Sequence, residues 1–593
     1  MKKNRLDGDL PSFDWPNFNY MLRDVCSRFE GRTAFRYRAR GNRDAAAEFE
    51  TWSYGRLGAA AAGLSSFLRG RGLKPGDRVA IWSENRPEWG AAYMALVASG
   101  FVAVPIDALL SEEEVARVLR AAEIHAAMAS ERFAKALSGI IATVPSAKLC
   151  IGFDGRPSVE GPEAASWAEA IASAGGLPAP ESIAGDADAS IIFTSGTTGV
   201  PKGVVLSHAG VIANFVASIR SLPIDEEDVF MCVLPLHHSY PTTCSLVSPL
   251  AVGASITIVE KVVGKVIVDD VRDSRGTVMI AVPILYDKLA QALLQGVKAK
   301  GAVAAALVGA LRALSRAGCD LGLPGLGRAL FKGIRAKTGL GSLRLLVAGG
   351  GPLSASTARV FDEFGFTIVQ GYGMSENGPL IAVNTPRRHD HRSAGLAVNR
   401  TQVRISEPNE DGIGEIQVTS PSLMKGYWRD PEGTAEVFTG DGWLRTGDLG
   451  RIDDRGFIFI TGRIKSLIVT AGGKNIYPEE IEAHFEGSRI AREVLVIGKS
   501  EAREGEAAQV AAEIVAAVIV PDLESIAADY GADKAADGEA VLELVKEEVE
   551  RINRALPPYK KISDFCLRGS EFEKTSSRKI KRYLYKSWEA AKD

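Results

Sequence analysis

Cysteine, long apolar runs and a net charge of one sign are all scarce in this sequence. Its six cysteines are spread over 593 residues without a C-x-x-C pair. That spacing argues against a disulfide framework and against a cysteine zinc site. The formal net charge is −3, so no overall positive field indicates nucleic acid as a partner. A reducing cytoplasm fits this composition.

No apolar run predicts a membrane span. A spanning helix needs about 18 or more apolar residues, whereas the longest candidate, "GAVAAALVGAL", stops at Arg312. The basic start, "MKKNRLDGDLPSFDW", is not followed by an apolar stretch, which excludes an ordinary secretory signal. We therefore expect a cytoplasmic protein without a transmembrane segment.

What the sequence does contain is an alternation of short apolar strands and helical segments. A chain of this length is expected to form two or more domains. Strands such as "RVAIWSE" and "FVAVPID" alternate with helices over residues 52–130, and a second alternating block covers 188–383. Apolar strands separated by helices favour parallel sheets covered on both faces. The predicted fold class is α/β, with two doubly wound subdomains packed together.

The pattern changes after residue 395. Residues 395–462 alternate in twos with turn residues between them, which predicts antiparallel strands in a small barrel or sheet. The remaining residues mix strands with the helix "GEAVLELVKEEVERINRAL" and predict a small α+β domain. We place the boundary near Gly462, which gives domains of 1–462 and 463–593.

The ten residues "TSGTTGVPKG", from Thr194 to Gly203, combine glycines, hydroxyls and a lysine directly after the strand "ASIIF". Backbone amides, hydroxyls and an ammonium together make a cradle for an anion. It is not a Walker loop, because G-x-x-x-x-G-K-[ST] is absent here. The predicted phosphate-binding residues are Thr194, Ser195, Gly196, Thr197, Thr198, Gly199 and Lys202.

Taken with four later stretches in the same order, this loop resembles the adenylate-forming, or AMP-binding, superfamily of acyl-CoA synthetases, adenylation domains and luciferases. The resemblance covers roughly residues 50 to 585. The four stretches are "GYGMSE" (371–376), "WLRTGD" (443–448), "GRIKSLIVTAGGKNIYPEEIE" (462–482) and "KTSSRKIKR" (574–582).

The resemblance implies an ATP-dependent ligase that forms acyl-AMP and then an acyl-CoA thioester. In such enzymes the residue matching Lys579 is catalytic, and the residue matching Glu376 holds Mg²⁺, here with help from Thr194. His238 matches a histidine beside the substrate carboxylate, although His237 is an equally polar alternative. The cofactors and substrates implied are ATP, Mg²⁺, coenzyme A and a carboxylic acid, and no nucleic acid.

The same resemblance implies where the nucleotide and the thiol bind. Asp448 and Arg463 would contact the ribose. Lys465 falls at the hinge about which a mobile C-terminal domain would rotate, and Gly472 and Gly473 would line the thiol tunnel. The adenine pocket would be formed by Gly350, Gly351, Pro352, Gln370, Gly371, Tyr372, Gly373, Met374 and Ser375.

An insertion between Leu285 and Leu343 resembles the medium- to long-chain fatty acyl-CoA synthetase branch. Residues 288–337 carry nine lysines and arginines against one acid, Asp320. Basic amphipathic helices can lie on anionic membranes, and a solvated basic face is the alternative interpretation. Contact with the inner membrane face is therefore an expectation of the sequence.

Two other functions stay open. A fatty acyl-AMP ligase would pass its product to a carrier protein instead of CoA. An inactive nucleotide-binding scaffold is supported by departures from the family pattern at Arg578, where glycine is usual, and at Glu573, where proline is common. A third departure is Val469, where many relatives carry lysine.

Overall fold

The structure is a computed structural model that describes residues 13–38, 48–194, 201–321, 323, 325–469, 475–500, 513–574, 580–585 and 587–592. The chain forms two compact units. The first contains the residues up to Val403 together with Val418–Leu444, and the second contains Arg404–Gln417 together with the residues from Arg445 onward. This division differs from the boundary predicted near Gly462, because the small sheet packs with the later residues. The boundary at which a C-terminal domain would move stays a prediction.

The strands are numbered in chain order. They are β1 Thr33–Tyr37, β2 Glu50–Ser53, β3 Arg78–Trp82, β4 Val102–Pro105, β5 Ala126–Ala129, β6 Leu149–Gly152, β7 Glu163–Ser166, β8 Asp188–Thr194, β9 Lys202–Ser207, β10 Val229–Cys232, β11 Ser255–Ile258, β12 Val278–Ala281, β13 Leu345–Ala348, β14 Ile368–Gly373, β15 Leu380–Val383, β16 Leu396–Ala397, β17 Gln402–Ser406, β18 Gly414–Thr419, β19 Gly426–Tyr427, β20 Leu444–Ile452, β21 Ile458–Arg463, β22 Ile468–Val469, β23 Asn475–Ile476, β24 Ala491–Ser500, β25 Glu513–Pro521 and β26 Asp564–Leu567.

The α-helices are numbered in the same way. They are α1 Phe18–Arg28, α2 Tyr54–Gly70, α3 Pro87–Ala98, α4 Glu112–Ala121, α5 Glu131–Ile141, α6 Trp167–Ile171, α7 His208–Ser221, α8 Ser239–Pro241, α9 Ser248–Val252, α10 Gly264–Ser274, α11 Pro283–Lys298, α12 Ala302–Asp320, α13 Gly325–Leu330, α14 Lys332–Lys337, α15 Ala355–Glu363, α16 Pro431–Val437, α17 Pro478–Glu482, α18 Leu523–Tyr530, α19 Ala532–Ala536, α20 Gly538–Ala555 and α21 Trp588–Ala591.

Two large sheets confirm the predicted α/β class. The first has the strand order β19-β9-β8-β4-β3-β5-β6-β7, and the second β16-β15-β14-β13-β12-β10-β11-β1-β2. The predicted apolar strands β3, β4, β10, β12, β13 and β14 pair in parallel with their neighbours in these sheets. Antiparallel strands occur at the margins, where β9 pairs with β8 and β15 pairs with β14.

The N-terminal hairpin β1–β2 was not foreseen in the second sheet. β1 pairs in parallel with β11, with Phe35 opposite Ile256. Both side chains are almost fully buried, so the sheet gains its last strands from a part of the chain far away in sequence. The alternating pattern that begins near residue 52 contains no signal for this long-range pairing.

The strands expected after residue 395 form a small sheet, in which β20 and β21 pair antiparallel. Of the two forms predicted, a small barrel or a sheet, the structure shows a four-stranded sheet in the order β17-β18-β20-β21. The final part has the three-stranded sheet β24-β25-β26. Helix α20 belongs to this α+β part, because Val541, Val545, Val549 and Ile552 recur at helical spacing and are buried in its core.

One described helix, α12, could cross a membrane on length and composition alone, over Ala302–Cys319. Only 17% of that stretch is buried in the protein, so α12 differs from the mostly buried core helices that meet the same criteria. The sequence-based expectation of no transmembrane segment stays a prediction.

Candidate functional site

The predicted site residues of the first unit follow the carboxyl ends of neighbouring strands. In the second sheet, β10, β12, β13 and β14 are parallel neighbours. The histidine segment, residues 234–243 with His237 and His238, follows β10. The glycine segment 349–352 follows β13, and "GYGMSE" begins within the last residues of β14. Ligands of open α/β sheets bind outside the carboxyl ends of the strands. The topology therefore gathers these segments at the edge where a ligand is expected.

The phosphate loop connects two antiparallel strands. Thr194 ends β8 and lies opposite Lys202, which begins β9. The Thr194 hydroxyl donates a 3.4 Å hydrogen bond to the carbonyl oxygen of Lys202. The intervening predicted residues, 195–199, lie outside the described part of the chain, and their contacts with phosphate stay predictions.

Lys202 has two partners that were not predicted. Its Nζ atom lies 4.7 Å from the ring centroid of Tyr427, a cation–π distance. The same atom lies 3.8 Å from Oδ2 of Asp430. Asp430 is also the N-cap of α16, because its side chain accepts a 2.8 Å hydrogen bond from the backbone amide of Gly433. The lysine charge is thus held beside β19 and the start of α16.

Tyr427 connects the loop lysine to Glu376. Its hydroxyl donates a 2.9 Å hydrogen bond to Oε1 of Glu376, and β19 itself pairs with β9, placing Tyr427 opposite Val204. Burial raises the pKa of Tyr427, and the neighbouring Glu376 carboxylate raises it further. The phenol therefore stays protonated and acts as a donor to the carboxylate at neutral pH. We call Lys202, Tyr427 and Glu376 the phosphate-end cluster.

Glu376 and Thr194 have the chemistry that the predicted magnesium site requires. Mg²⁺ prefers oxygen ligands and often keeps several waters while using one or two carboxylates. A carboxylate and a hydroxyl are both oxygen donors, and Oε2 of Glu376 accepts no hydrogen bond from the described residues. The backbone around Glu376 is fixed, because its carbonyl oxygen accepts a 2.8 Å hydrogen bond from Met424.

The two predicted walls of the adenine pocket touch each other. Oε1 of Gln370 accepts a 3.0 Å hydrogen bond from the amide of Leu353, which ties β14 to the segment after β13. Tyr372 is largely buried, at 9% exposure. Gly373 is required by packing, because a Cβ atom there would lie 2.1 Å from the carbonyl oxygen of Pro379. The amide of Met374 donates to that same carbonyl at 3.0 Å.

Tyr240 lies against Gly349, the first residue of the glycine segment. A Cβ atom at Gly349 would lie 2.6 Å from the Tyr240 hydroxyl, and Gly350 adopts φ +80°, a conformation that favours glycine. The Tyr240 hydroxyl is buried and has no hydrogen-bond partner among the described residues. Burial raises the pKa of Tyr240. An unsatisfied buried hydroxyl of this kind calls for a ligand or water.

Ser375 joins the end of β14 to the histidine segment. Its hydroxyl lies 2.9 Å from the hydroxyl of Ser239. In the same segment, the hydroxyl of Thr242 donates a 2.8 Å hydrogen bond to the carbonyl oxygen of His238. Thr242 also begins a π-helical turn, Thr242–Val247, which replaces regular α-helix. Single π-helical turns occur often at functional sites.

His237 and His238 lie side by side, with ring centroids 4.3 Å apart. His237 is buried, and its Nε2 lies 3.1 Å from Oδ1 of Asp107, an ion-pair distance without the alignment of a hydrogen bond. His238 is only half-buried. The greater exposure of His238 suits contact with a substrate, while His237 is the more enclosed of the two. The role predicted for His238 stays a prediction.

The predicted ribose-binding residues pair with each other in the second unit. Asp448 on β20 lies opposite Arg463 on β21, and Nε of Arg463 lies 2.9 Å from Oδ1 of Asp448. The carboxylate is largely buried, and the amide of Asp448 donates a 3.1 Å hydrogen bond to the Thr446 hydroxyl. Lys465 follows in the short 3₁₀ turn Ile464–Ser466. Lys579, Gly472 and Gly473 lie outside the described residues.

Sequence reasoning missed Tyr427, Asp430, Ser239 and Tyr240. The stretch "KGYWRDPEGT" (425–434) contains the signal for two of them, because aromatic residues precede an Asp-Pro pair that begins a helix. Nothing in the sequence shows that this stretch pairs with β9 and so reaches Lys202. For Tyr240, the missing information was the packing of its ring on Gly349.

The chain matches known proteins over most of its length. The protein-family model for the AMP-binding enzyme matches residues 22–428. The chain is 30% identical to the long-chain-fatty-acid–CoA ligase FadD15 of Mycobacterium bovis, covering 75% of this chain and 74% of the relative. It is 28% identical to the feruloyl-CoA synthase of an Amycolatopsis species, covering 79% and 83%. The solved structure of ATP-bound MatB from Rhodopseudomonas palustris matches with a TM-score of 0.73 and 26% identity, covering 96% of this chain and 98% of the other.

Proposed function

The chain belongs to the AMP-binding enzyme family and is an acyl-CoA synthetase, and from this premise we propose that its acids are fatty acids. Two observations support the proposal. The curated relatives at 29–30% identity include long-chain fatty acid ligases of bacteria and of a plant. The phosphate-end cluster, in which Tyr427 joins Lys202 to Glu376, is the single structural observation that supports nucleotide activation at this edge of the sheets.

In the first half-reaction a carboxylate oxygen of the acid attacks the α-phosphorus of ATP. The new O–P bond forms as the bond between the α-phosphorus and its bridging oxygen breaks, and pyrophosphate leaves with that electron pair. Two anions must approach each other, so catalysis depends on positioning and on stabilisation of charge. Lys202 supplies one positive charge, and we assign a second, on the side of the carboxylate, to Lys579.

Magnesium belongs to this proposal as the partner of the phosphates. Glu376, with Thr194, would hold it, and the ion would neutralise charge on the phosphate oxygens. The Tyr427 hydroxyl orients the Glu376 carboxylate through their 2.9 Å hydrogen bond. By fixing one carboxylate oxygen, the phenol leaves the other available on a defined side.

In the second half-reaction the sulfur of CoA attacks the acyl carbonyl carbon. The C–S bond forms, the C–O bond to AMP breaks, and AMP leaves as its phosphate anion while the thiol proton passes to solvent. We assign the ribose contacts to Asp448 and Arg463, and the rotation between the two half-reactions to the hinge at Lys465. Gly472 and Gly473 would line the path of the thiol.

A hydroxylated aromatic acid is the second candidate substrate. The observation that favours it is the buried Tyr240 hydroxyl, which lacks a partner among the described residues and lies against Gly349. A phenolic substrate could satisfy it, and one relative is named a feruloyl-CoA synthase. A saturated fatty chain has no group that can form a hydrogen bond with the Tyr240 hydroxyl. In a fatty acid enzyme a water molecule would have to form that hydrogen bond.

The cellular location completes the proposal. We place the protein in the cytoplasm, with contact to the inner membrane face through residues 288–337. The support is the excess of basic residues in that insertion.

The test is to follow AMP release and loss of free CoA thiol together, with palmitate and with ferulate as acids. A fatty acyl-CoA synthetase consumes one thiol per AMP with palmitate. A stable acyl-AMP without thiol loss would indicate a ligase that serves a carrier protein, and activity with ferulate alone would overturn the fatty acid assignment. Lys579→Ala should abolish acyl-AMP formation but retain thioester formation from supplied acyl-AMP, and equal loss of both steps would contradict its role.

A further inference from the structure

The two arginines of helix α12 form ion pairs with another helix of the protein. Arg312 and Arg316 both pair with Glu363 at the end of α15. Nε of Arg312 lies 2.8 Å from one oxygen of Glu363, and Nε of Arg316 lies 2.7 Å from the other. Glu363 is only 2% exposed. This bidentate arrangement fixes the rotation of α12 about its axis.

The side of α12 that faces away from the protein is apolar. Val303 is 85% exposed, Leu307 61%, Leu314 51%, and Leu321, which follows the helix directly, 79%. Residues four and seven apart lie on the same face of a helix, so these four side chains form one line. The positions between them on that face are alanines, and they are exposed too: Ala306, Ala310, Ala313 and Ala317. We call this the outer face of α12.

An apolar line of this length is unusual on a protein surface. From Val303 to Leu321 a helix extends about 27 Å, at about 1.5 Å per residue. Single exposed leucines are ordinary, whereas a contiguous apolar patch marks an interaction surface. Because Glu363 holds the two arginines on the inner side, α12 cannot turn its apolar residues inward without burying unpaired charge.

The segments that neighbour α12 in the chain are rich in basic residues. Helices α11 and α13 both pack against α12. The exposed basic residues of this region are Lys288, Lys298, Lys300, Arg316, Arg328, Lys332 and Lys337. Asp320 is the single acid between positions 288 and 337 of the sequence. A surface with an apolar centre and cationic margins is complementary to an anionic bilayer.

We propose that the outer face of α12 docks on an anionic lipid surface, lying in the interface with Val303, Leu307, Leu314 and Leu321 among the acyl chains. The helix does not span the bilayer in this arrangement, because its inner side stays paired to Glu363. The basic residues of α11, α13 and α14 contact lipid phosphates. This inference rests on the proposed function, because docking would bring the enzyme to the membrane in which its fatty acid substrate dissolves.

A second copy of this chain is the less favoured occupant. Two outer faces brought together by a two-fold axis would also bring together their basic margins, and like charges in contact oppose association. Residues 288–337 contain one acid, Asp320, against nine lysines and arginines, so such an interface would have too few acidic partners. Lipid phosphates supply the missing negative charge.

Vesicle flotation with the full chain tests the proposal. The probes are vesicles of phosphatidylcholine alone and vesicles with a third of phosphatidylglycerol. The test variant is Leu307→Gln/Leu314→Gln. The matched control is Leu523→Gln/Leu542→Gln, which changes two leucines of similar exposure, 46% and 44%, in the second unit. All four residues are exposed, so the folds should be retained, and circular dichroism and thermal unfolding check this for each variant.

The chain should float with anionic vesicles and bind neutral vesicles at least about tenfold more weakly. The Leu307→Gln/Leu314→Gln variant should lose at least about tenfold in anionic vesicle affinity, while the control retains it. Equal binding by both double variants would overturn the proposal. So would a dimer that dissociates only in the test variant, or no binding of the parent chain.

Acid-dependent ATP–pyrophosphate exchange with soluble octanoate, measured without vesicles, separates this inference from the proposed function. Both double variants should retain exchange, because neither changes a residue of the phosphate-end cluster. Vesicle binding without exchange on any fatty acid would refute the proposed function and leave the docking surface standing. Exchange without vesicle binding would support the proposed function and refute the docking surface.

Discussion

The hydroxyl of Tyr427 donates a 2.9 Å hydrogen bond to the carboxylate of Glu376. The face of the same ring lies 4.7 Å from the ammonium of Lys202. One aromatic residue thus positions an acidic group and a basic group that the sequence places 174 residues apart, at 202 and 376. Because the ring face and the hydroxyl make different contacts, substitutions of Tyr427 can measure the contribution of each contact separately.

Tyr427→Phe removes the hydrogen bond and keeps the ring beneath Lys202. We expect kcat/KM for ATP to fall by roughly tenfold, since a hydrogen bond to a charged group contributes about 1.5 kcal/mol. Tyr427→Leu removes both contacts and should cost more. Exchange of labelled pyrophosphate into ATP measures the effect, with Mg²⁺ varied to detect a weaker requirement at Glu376.

Tyr37→Phe is the matched control. Its hydroxyl also donates to a carboxylate, that of Glu50 at 2.5 Å, but it lies on β1, outside the phosphate-end cluster. The control should retain wild-type exchange. If Tyr37→Phe and Tyr427→Phe lost activity equally, the loss would be a general effect on the fold and the role of Tyr427 would be wrong.

Asp448→Asn tests the ribose assignment. A carboxylate can accept hydrogen bonds from two ribose hydroxyls, so the amide should raise KM for ATP by roughly tenfold. The same substitution should have much less effect with 2′,3′-dideoxy-ATP, which lacks both hydroxyls. An equal effect on the two nucleotides would show that Asp448 acts only through its pair with Arg463.

Gly349→Ala should displace Tyr240. The added Cβ would lie 2.6 Å from the ring and its hydroxyl, and overpacking of this kind costs about 1–3 kcal/mol. Gly351→Ala is the control, because its Cβ would meet only Pro283 at 3.8 Å. The thermal unfolding midpoint should fall for Gly349→Ala and change little for Gly351→Ala. Adding Tyr240→Leu to Gly349→Ala should restore it, and failure of that rescue would refute the proposed contact.

His208 should make the protein less stable in mild acid. Burial lowers the pKa of this fully buried side chain to about 4, whereas an unfolded histidine has a pKa of about 6.5. The unfolded state therefore binds the proton first, and stability present above pH 6.5 is lost as the pH falls towards 4. A shift of this size corresponds to about 3 kcal/mol.

Urea unfolding between pH 7.5 and 4 measures this loss. His208→Gln removes the titrating group, so its stability should change less over the same range than that of the parent chain. His484→Gln, at an exposed position, is the control and should behave like the parent. Parallel pH profiles for His208→Gln and the parent would contradict the account.

The sequence predicts those parts of the site that depend on local patterns. Apolar strands of four to seven residues identified both sheets, and the loop at Thr194 and the segment at Glu376 are recognisable from their own residues. The pairing of Tyr427 with Lys202 requires β19 to lie beside β9, and the contact of Tyr240 with Gly349 requires the segments after β10 and β13 to meet. Such contacts depend on register and packing between distant strands, which a local pattern does not encode. The exposure of Leu307 and Leu314 could not be predicted from the sequence either. Helical spacing shows that the two residues share a face of the helix, but not that this face points away from the protein.

The central claim is that this chain activates fatty acids at the phosphate-end cluster, and acid-dependent ATP–pyrophosphate exchange tests it most directly. We predict exchange with the parent chain in the presence of medium- or long-chain fatty acids, weak or no exchange with acetate and benzoate, and loss of nearly all exchange in Glu376→Ala. Absence of exchange with every fatty acid from C6 to C18, or undiminished exchange in Glu376→Ala, would contradict the claim.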